Sequence, residues 1–127
     1  MDTKLLLDDF EAEARTHLEK IETAFLDVEA LAGNPKLIDS VFRAAHSIKG
    51  TAGFFSLKKI VAVAHELESV FSQVKGGKSI INEDIADVTL QSVDCLRVLL
   101  DHIHDDDVVD TKNLIETLKK CTQVEKQ

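Results

Sequence analysis

His46 is preceded at three residues by Arg43 and followed at three, four and seven by Lys49, Gly50 and Gly53. At about 100° per residue these spacings gather all five on one side of a helix, while Leu37, Val41, Ala44, Ala45 and Ile48 form an apolar stripe centred about 140° away from His46. The imidazole must then face solvent, with bare backbone beside it. A glycine inside a helix costs about 0.8–1.0 kcal/mol relative to alanine, so Gly50 and Gly53 on a surface face imply that something approaches closely there. For Gly53 a plain C-terminal cap is the competing reading. Farther along, Glu68 shares a face with Val61, Ala64 and Phe71, which leaves a carboxylate at the edge of an apolar stripe and in need of a partner. His65 precedes it by three residues. If the two helices pack antiparallel about a short turn, His46 and the His65/Glu68 edge come within about one helical turn in height. A carboxylate accepting Nδ1–H of His46 would fix the tautomer, leave Nε2 unprotonated and raise its nucleophilicity. Lys49, and Arg43 in the same capacity, would balance negative charge added to that ring.

The elements that must hold these side chains read as helices throughout, and no stretch alternates as a strand would. A first stripe runs Leu7, Phe10, Ala14, Leu18, Ile21, Phe25, Val28 and ends near Gly33. Asn34 and Pro35 are a cap and first-turn pair that start a second helix, expected over about Pro35 to Gly53. Ser56 is expected to cap a third, carrying Leu57, Ile60, Val61, Ala64, Leu67, Phe71 and Val74 and stopped at Gly76-Gly77. Asn82, with Glu83 and Asp84 behind it, opens a fourth whose stripe is Ile85, Val88, Ser92, Leu96, Leu99, Leu100 and Ile103, with the run Asp105-Asp106-Asp107 expected to break it. Asp110 or Thr111 caps a shorter fifth helix bearing Leu114, Ile115, Leu118 and Cys121. Short connections make neighbouring helices antiparallel, so the expected fold is all-α: an up-and-down four-helix bundle with the fifth helix alongside. Residues 1–123 form one domain in this reading, and 124–127 a tail or the start of a linker.

Composition narrows the function classes. With 15 Lys and Arg against 23 Asp and Glu the formal net charge is −8, and there is no Trp or Tyr. A nucleic-acid surface needs a basic footprint and usually aromatic platforms, so that class is set aside. Residues 36–59 are the exception: Lys36, Arg43, Lys49, Lys58 and Lys59 against Asp39 give a local +4, a surface for an anionic group or an acidic partner unless it is a chance cluster of solvated lysines. Cys95 and Cys121 form no C-x-x-C pair and read as reduced, incidental thiols. Apolar runs fall far short of the roughly 18 residues a membrane span needs, and Asp2, Asp8 and Asp9 spoil a secretory signal, so the chain is expected to be cytoplasmic.

Phe42-Arg43-Ala44-Ala45-His46-Ser47-Ile48-Lys49-Gly50-Thr51-Ala52-Gly53-Phe54, with His65-Glu66-Leu67-Glu68 downstream, closely resembles the histidine phosphotransfer (HPt) domain at the N-terminus of CheA-type chemotaxis histidine kinases. The resemblance implies that His46 is the phosphoacceptor, that Glu68 orients it, and that Lys49 and His65 complete the polar cluster. It also implies that Gly50 and Gly53 give a response regulator room to close over the ring. Many family members have a second glycine where this chain has Thr51, a departure that bears on the docking surface. In such relays an ATP-bound kinase domain phosphorylates the histidine, which then donates to an aspartate of a CheY-like receiver. The phosphoramidate is a good donor because the ring nitrogen leaves readily once protonated, and in-line transfer is mostly positioning and charge neutralisation. No glycine-rich nucleotide loop occurs in this chain. It therefore reads as a phosphoryl carrier, monomeric as an isolated domain, with ATP and Mg²⁺ supplied by the kinase domain and the regulator.

The resemblance implies one domain of a larger two-component, chemotaxis-type sensor kinase, with a standalone carrier in a multistep phosphorelay as the alternative. A rival of another class is a metal site from His46, His65 and Glu68, disfavoured because carboxylate-bridged bundles need inward acids on several helices with Glu-x-x-His spacing. Asp101-His102-Ile103-His104-Asp105 is a second metal candidate, but histidines two apart diverge on a helix. A structural or adaptor bundle, with His46 incidental, is the third reading.

Overall fold

The computed structural model describes residues 2–122, and among them every regular element is helical. Helices begin where a short polar side chain can accept the unpaired amides of a first turn. Asp2 accepts from Lys4 N ahead of α1 (Thr3–Ala24), and Asp27 from Ala30 N at 3.1 Å ahead of the short α2 (Val28–Ala32). Asn34 accepts from Leu37 N at 3.1 Å to open α3 (Pro35–Phe54), with Pro35 in the first turn. Helix α4 (Lys58–Lys75) has no side-chain cap. Asn82 accepts from Ile85 N at 2.9 Å to open α5 (Glu83–Asp101), and Asp110 from Lys112 N at 2.9 Å at the start of α6 (Lys112–Thr122).

Three boundaries differ from the sequence expectation, each for a local reason. The first stripe is broken after Ala24, because the Asp27 carboxylate caps a new helix that begins at Val28, the stripe's last position. Phe25 and Leu31 stay buried on either side of the break, so hydrophobic spacing alone does not reveal it. Ser56 is no cap for α4. It adopts a left-handed φ of 57° just past α3, where Leu57 N bonds Ala52 O and Ser56 N bonds Gly53 O. That is a Schellman end, and the residue in its left-handed position is a serine; the matching end of α4 places Gly77 there at φ 78°. Gly53 consequently lies within α3, whose C-cap is Phe55. Helix α5 stops at Asp101, before the acidic run, which instead holds a 3-10 turn at Asp106–Val108. The tail expected at 124–127 lies outside the described residues.

Packing closes a ring of four long helices: α1 lies on α3 and α5, and α4 on α3 and α5, with α6 added against α4 and α5. The bundle expected from the stripes is therefore present, with α2 an extra short element against α3. Phe10, Leu18, Ile48, Leu67, Phe71, Leu96, Leu99 and Leu118 are buried in a common core. Ala44, Ala45 and Ala52 of α3 and Ala64 of α4 are buried too, and α3 makes its largest interface with α4. Small residues let two helices approach closely, which brings side chains at the interface edge within reach of each other. Two arginine–carboxylate pairs tie α1 to α5: Arg97 forks onto both oxygens of Glu22 at 2.9 and 3.0 Å, and Arg15 reaches Asp101 at 2.7 Å. Lys59, counted above in the basic island, donates to the carbonyls of Asp106 and Val109 at 2.8 and 2.5 Å and so clamps the α5–α6 connection to α4. No helix among the described residues is long and apolar enough to cross a membrane.

Candidate functional site

His46 projects from the middle of α3 with its side chain 63% exposed, opposite the buried Val41, Ala44, Ala45 and Ile48. Glu68 comes from α4, where Leu67 and Phe71 on its flanks are core, and its side chain is only 12% exposed. The two meet across the interface: Nδ1 of His46 lies 2.6 Å from Oε2 of Glu68. Since an ionised carboxylate can only accept, Nδ1 carries the hydrogen, and in the neutral ring Nε2 is then the nitrogen with a free lone pair. Lys49, one turn along α3, occupies the second oxygen, with Nζ 2.5 Å from Oε1. Burial pushes the Glu68 pKa up, but the Lys49 and His46 hydrogen bonds and charges outweigh it, and the net shift is downward. The carboxylate is therefore ionised and held on both oxygens. It acts as a fixed acceptor and not as a proton donor.

The remaining sequence candidates fall in different places. Gly50 and Gly53 are exposed in α3, and a Cβ built on either would meet nothing within 4 Å. Nothing among the described residues requires their smallness, which keeps a close approach from outside as the reason for it. Thr51 is half-buried and, five residues on, about 140° round the helix from His46. His65 is exposed one turn before Glu68 on α4; its backbone carbonyl accepts from Ser69 Oγ at 3.1 Å, and among the described residues its ring joins no hydrogen bond with the trio. Arg43 is exposed, with Nε donating to Asp39 at 2.7 Å. Arg43 pairs with Asp39, already counted in the local +4, and Lys49 with Glu68 of α4, so one of those four net charges meets a further carboxylate; Lys59 donates to carbonyls and keeps its charge.

Three side chains near His46 escape the sequence reading. Asp39 stands seven residues before His46 on α3, and Lys75 seven after Glu68 on α4, so the antiparallel register that joins His46 to Glu68 repeats two turns away. There Lys75 Nζ lies 2.6 Å from Oδ1 of Asp39, whose Oδ2 takes Arg43. Hydrogen bonds from Arg43 and then Lys75 hold the Asp39 carboxyl below its usual range. Phe42 sits between the two clusters, its ring 6.4 Å from the His46 ring and 14° from parallel, with Lys75 Nζ 4.7 Å from its centroid. Spacing of four links Phe42 to His46 and Asp39 to Arg43 in the sequence, but nothing local points to Lys75.

No group of three or more His, Cys, Asp or Glu side chains among the described residues is placed to hold a metal ion. In the His46 cluster, one carboxylate oxygen faces the imidazole and the other a lysine.

The family model for the Hpt domain matches residues 5–120. The sensor histidine kinase CheAY of Helicobacter pylori is 32% identical over 104 residues, 82% of this chain and 13% of that protein. The chemotaxis protein CheA of Rhizobium meliloti is 32% identical over 120 residues, 94% of this chain and 16% of the relative. The chain thus spans a small part of the curated relatives it matches. Among solved structures, the CheA phosphotransferase domain from Thermotoga maritima has a TM-score of 0.75 at 25% identity, covering 82% of this chain and 99% of that one. The phosphorylated P1 domain of CheA3 in complex with CheY6 from R. sphaeroides has a TM-score of 0.83 at 19% identity, covering 94% of this chain and 98% of that one, which speaks for the fold.

Proposed function

This chain belongs to the Hpt domain family, and we propose that within it His46 takes a phosphoryl group on Nε2 and passes it to an aspartate of a response-regulator receiver. The observation that carries this reading is the contact of His46 Nδ1 with Glu68 Oε2 at 2.6 Å, which leaves the exposed ring's other nitrogen as the nucleophile. In the forward step the Nε2 lone pair attacks the γ-phosphorus of ATP held by a kinase domain. The N–P bond forms, the bond to the ADP oxygen breaks, and the ring becomes cationic with its proton on Nδ1. Glu68 faces that proton and stabilises the charge as it develops. In the second step the N–P bond breaks toward the receiver carboxylate, and the ring departs as neutral imidazole with Nδ1–H still directed at Glu68. One fixed acceptor thus serves both directions.

Lys49 lies beside this pair and offsets the charge of the arriving phosphoryl, as does Arg43 to the extent that it leaves Asp39. ATP and Mg²⁺ belong in this scheme to the kinase domain and the receiver. The names of the relatives support a chemotaxis-type kinase as the donor, and the small share of their length that the chain spans supports its being one part of such a kinase. The CheY6 bound to a P1 domain of the same fold supports a CheY-like acceptor. The exchange belongs in this scheme to the cytoplasm. The test is incubation with ATP and a CheA-type catalytic fragment. Acid-labile, base-stable phosphate is expected on the wild type and absent from His46→Gln. An unlabelled wild type would remove the reading.

A further inference from the structure

We propose that Phe42, steadied from α4 by Lys75, is a positioning residue that sets the plane of the His46 imidazole. The inference rests on the phosphoacceptor reading above and adds a second restraint to the ring. A single hydrogen bond from Nδ1 to Glu68 at 2.6 Å anchors one ring atom and leaves the ring free to pivot about that contact. Pivoting swings the Nε2 lone pair, which lies in the ring plane, off the line an in-line displacement requires. His46 is 63% exposed, so the core gives it little lateral support. Phe42 supplies that support: the two rings lie 6.4 Å apart and within 14° of parallel, inside the 4.5–7 Å range over which aromatic pairs attract.

Phe42 is half-buried and is itself restrained. Lys75 Nζ stands 4.7 Å from its ring centroid, in range for a cation–π contact. The ammonium is held in turn, 2.6 Å from Asp39, which also grips Arg43 at 2.7 Å. The chain Asp39, Lys75, Phe42, His46 therefore crosses the α3–α4 seam and returns to α3. The imidazole is fixed from two sides, by Glu68 at Nδ1 and by Phe42 alongside the ring, both ultimately referred to α4.

The test uses the whole chain with three variants, Phe42→Leu, Phe42→Tyr and Lys75→Gln. In NMR spectra of the unphosphorylated protein, the wild-type His46 ring protons should carry a ring-current shift that Phe42→Tyr keeps and Phe42→Leu loses. With ATP and the catalytic fragment, Phe42→Leu should lower the maximal rate of His46 phosphorylation about 3–10-fold with KM for the fragment unchanged, as expected for a misaimed nucleophile. Phe42→Tyr should restore that rate, and Lys75→Gln should show a smaller loss of the same kind. A wild-type rate in Phe42→Leu, or no ring-current difference between it and the wild type, overturns the proposal. A rate loss that Phe42→Tyr does not restore overturns it as well. Failure of the phosphoacceptor reading is distinguishable, because it would appear as an unlabelled wild type while the NMR comparison still decides the positioning role.

Discussion

Two groups of histidines and carboxylates in this chain, one contiguous and one split between two helices, are treated oppositely by the tertiary structure. Asp101, His102, His104 and Asp105 lie within five consecutive positions, whereas His46 and Glu68 are 22 residues apart. Yet the compact run disperses. Asp101 turns to Arg15 on α1 at 2.7 Å, His102 ends α5, and His102, His104 and Asp105 are exposed. The distant pair closes to 2.6 Å because α3 and α4 pack with small residues between them, held in one antiparallel register by a core that includes Ile48 and Leu67. Proximity in sequence on one helix end gives divergent directions. Proximity across two packed helices gives a fixed distance, and fixed distance is what chemistry uses.

The largest expected effect tests that contrast head-on. His46→Gln should abolish acid-labile phosphate, while His102→Gln and His104→Gln should stay within about two-fold of the wild type, the exposed α5 end making no contact that positions a reacting atom. Phosphate lost in the α5 variants would break the comparison. Next comes Glu68→Ala, which should slow His46 phosphorylation about 10–100-fold through loss of the fixed acceptor, with circular dichroism and thermal melting showing the domain still folded. Equal rates would refute the orienting role.

A smaller and opposite-signed pair of effects sharpens the picture of the open face. Gly50→Ala and Gly53→Ala should each raise stability by up to about 1 kcal/mol in urea unfolding, because helix propensity improves and the added methyl meets nothing within 4 Å. The same variants should slow transfer to a receiver, since the methyl occupies the space a partner needs. Stabilisation without slower transfer would show that the bare backbone serves no partner.

The smallest effect is a pH dependence. Glu68 has its folded-state pKa below the unfolded value, so its contribution to stability is complete above the unfolded pKa and is lost as pH falls through the folded one. Melting curves of the wild type and Glu68→Gln should therefore differ most near neutrality and converge on acidification. A gap that widens toward low pH would contradict the ionised, doubly held carboxylate.

The residues most easily read from the sequence were those with a local cause. Asn34, Pro35 and Asn82 mark helix starts because their side chains act within a turn, and His46 is legible as outward-facing because the stripe opposite it is continuous. Boundaries failed where two local signals competed. Asp27 capped a new helix inside an unbroken stripe, and a Schellman end at Ser56 took a position where glycine is the usual marker. The basic island was only partly legible: formal charge adds along a sequence, but the sum could not show that Lys49 pairs with Glu68 of the next helix or that Lys59 is tied to two backbone carbonyls.

From the sequence alone came the helical class, the stripes, and which face of its helix His46 and Glu68 each occupy, since period and side-chain type are properties of single segments. The tertiary structure alone decided that Glu68 is shared between His46 and Lys49, that Asp39 meets Lys75 two turns away, and that Lys75 reaches over the Phe42 ring. Those facts depend on how far one helix slides and turns against another, which the packing of buried side chains from both helices settles jointly and neither segment encodes by itself.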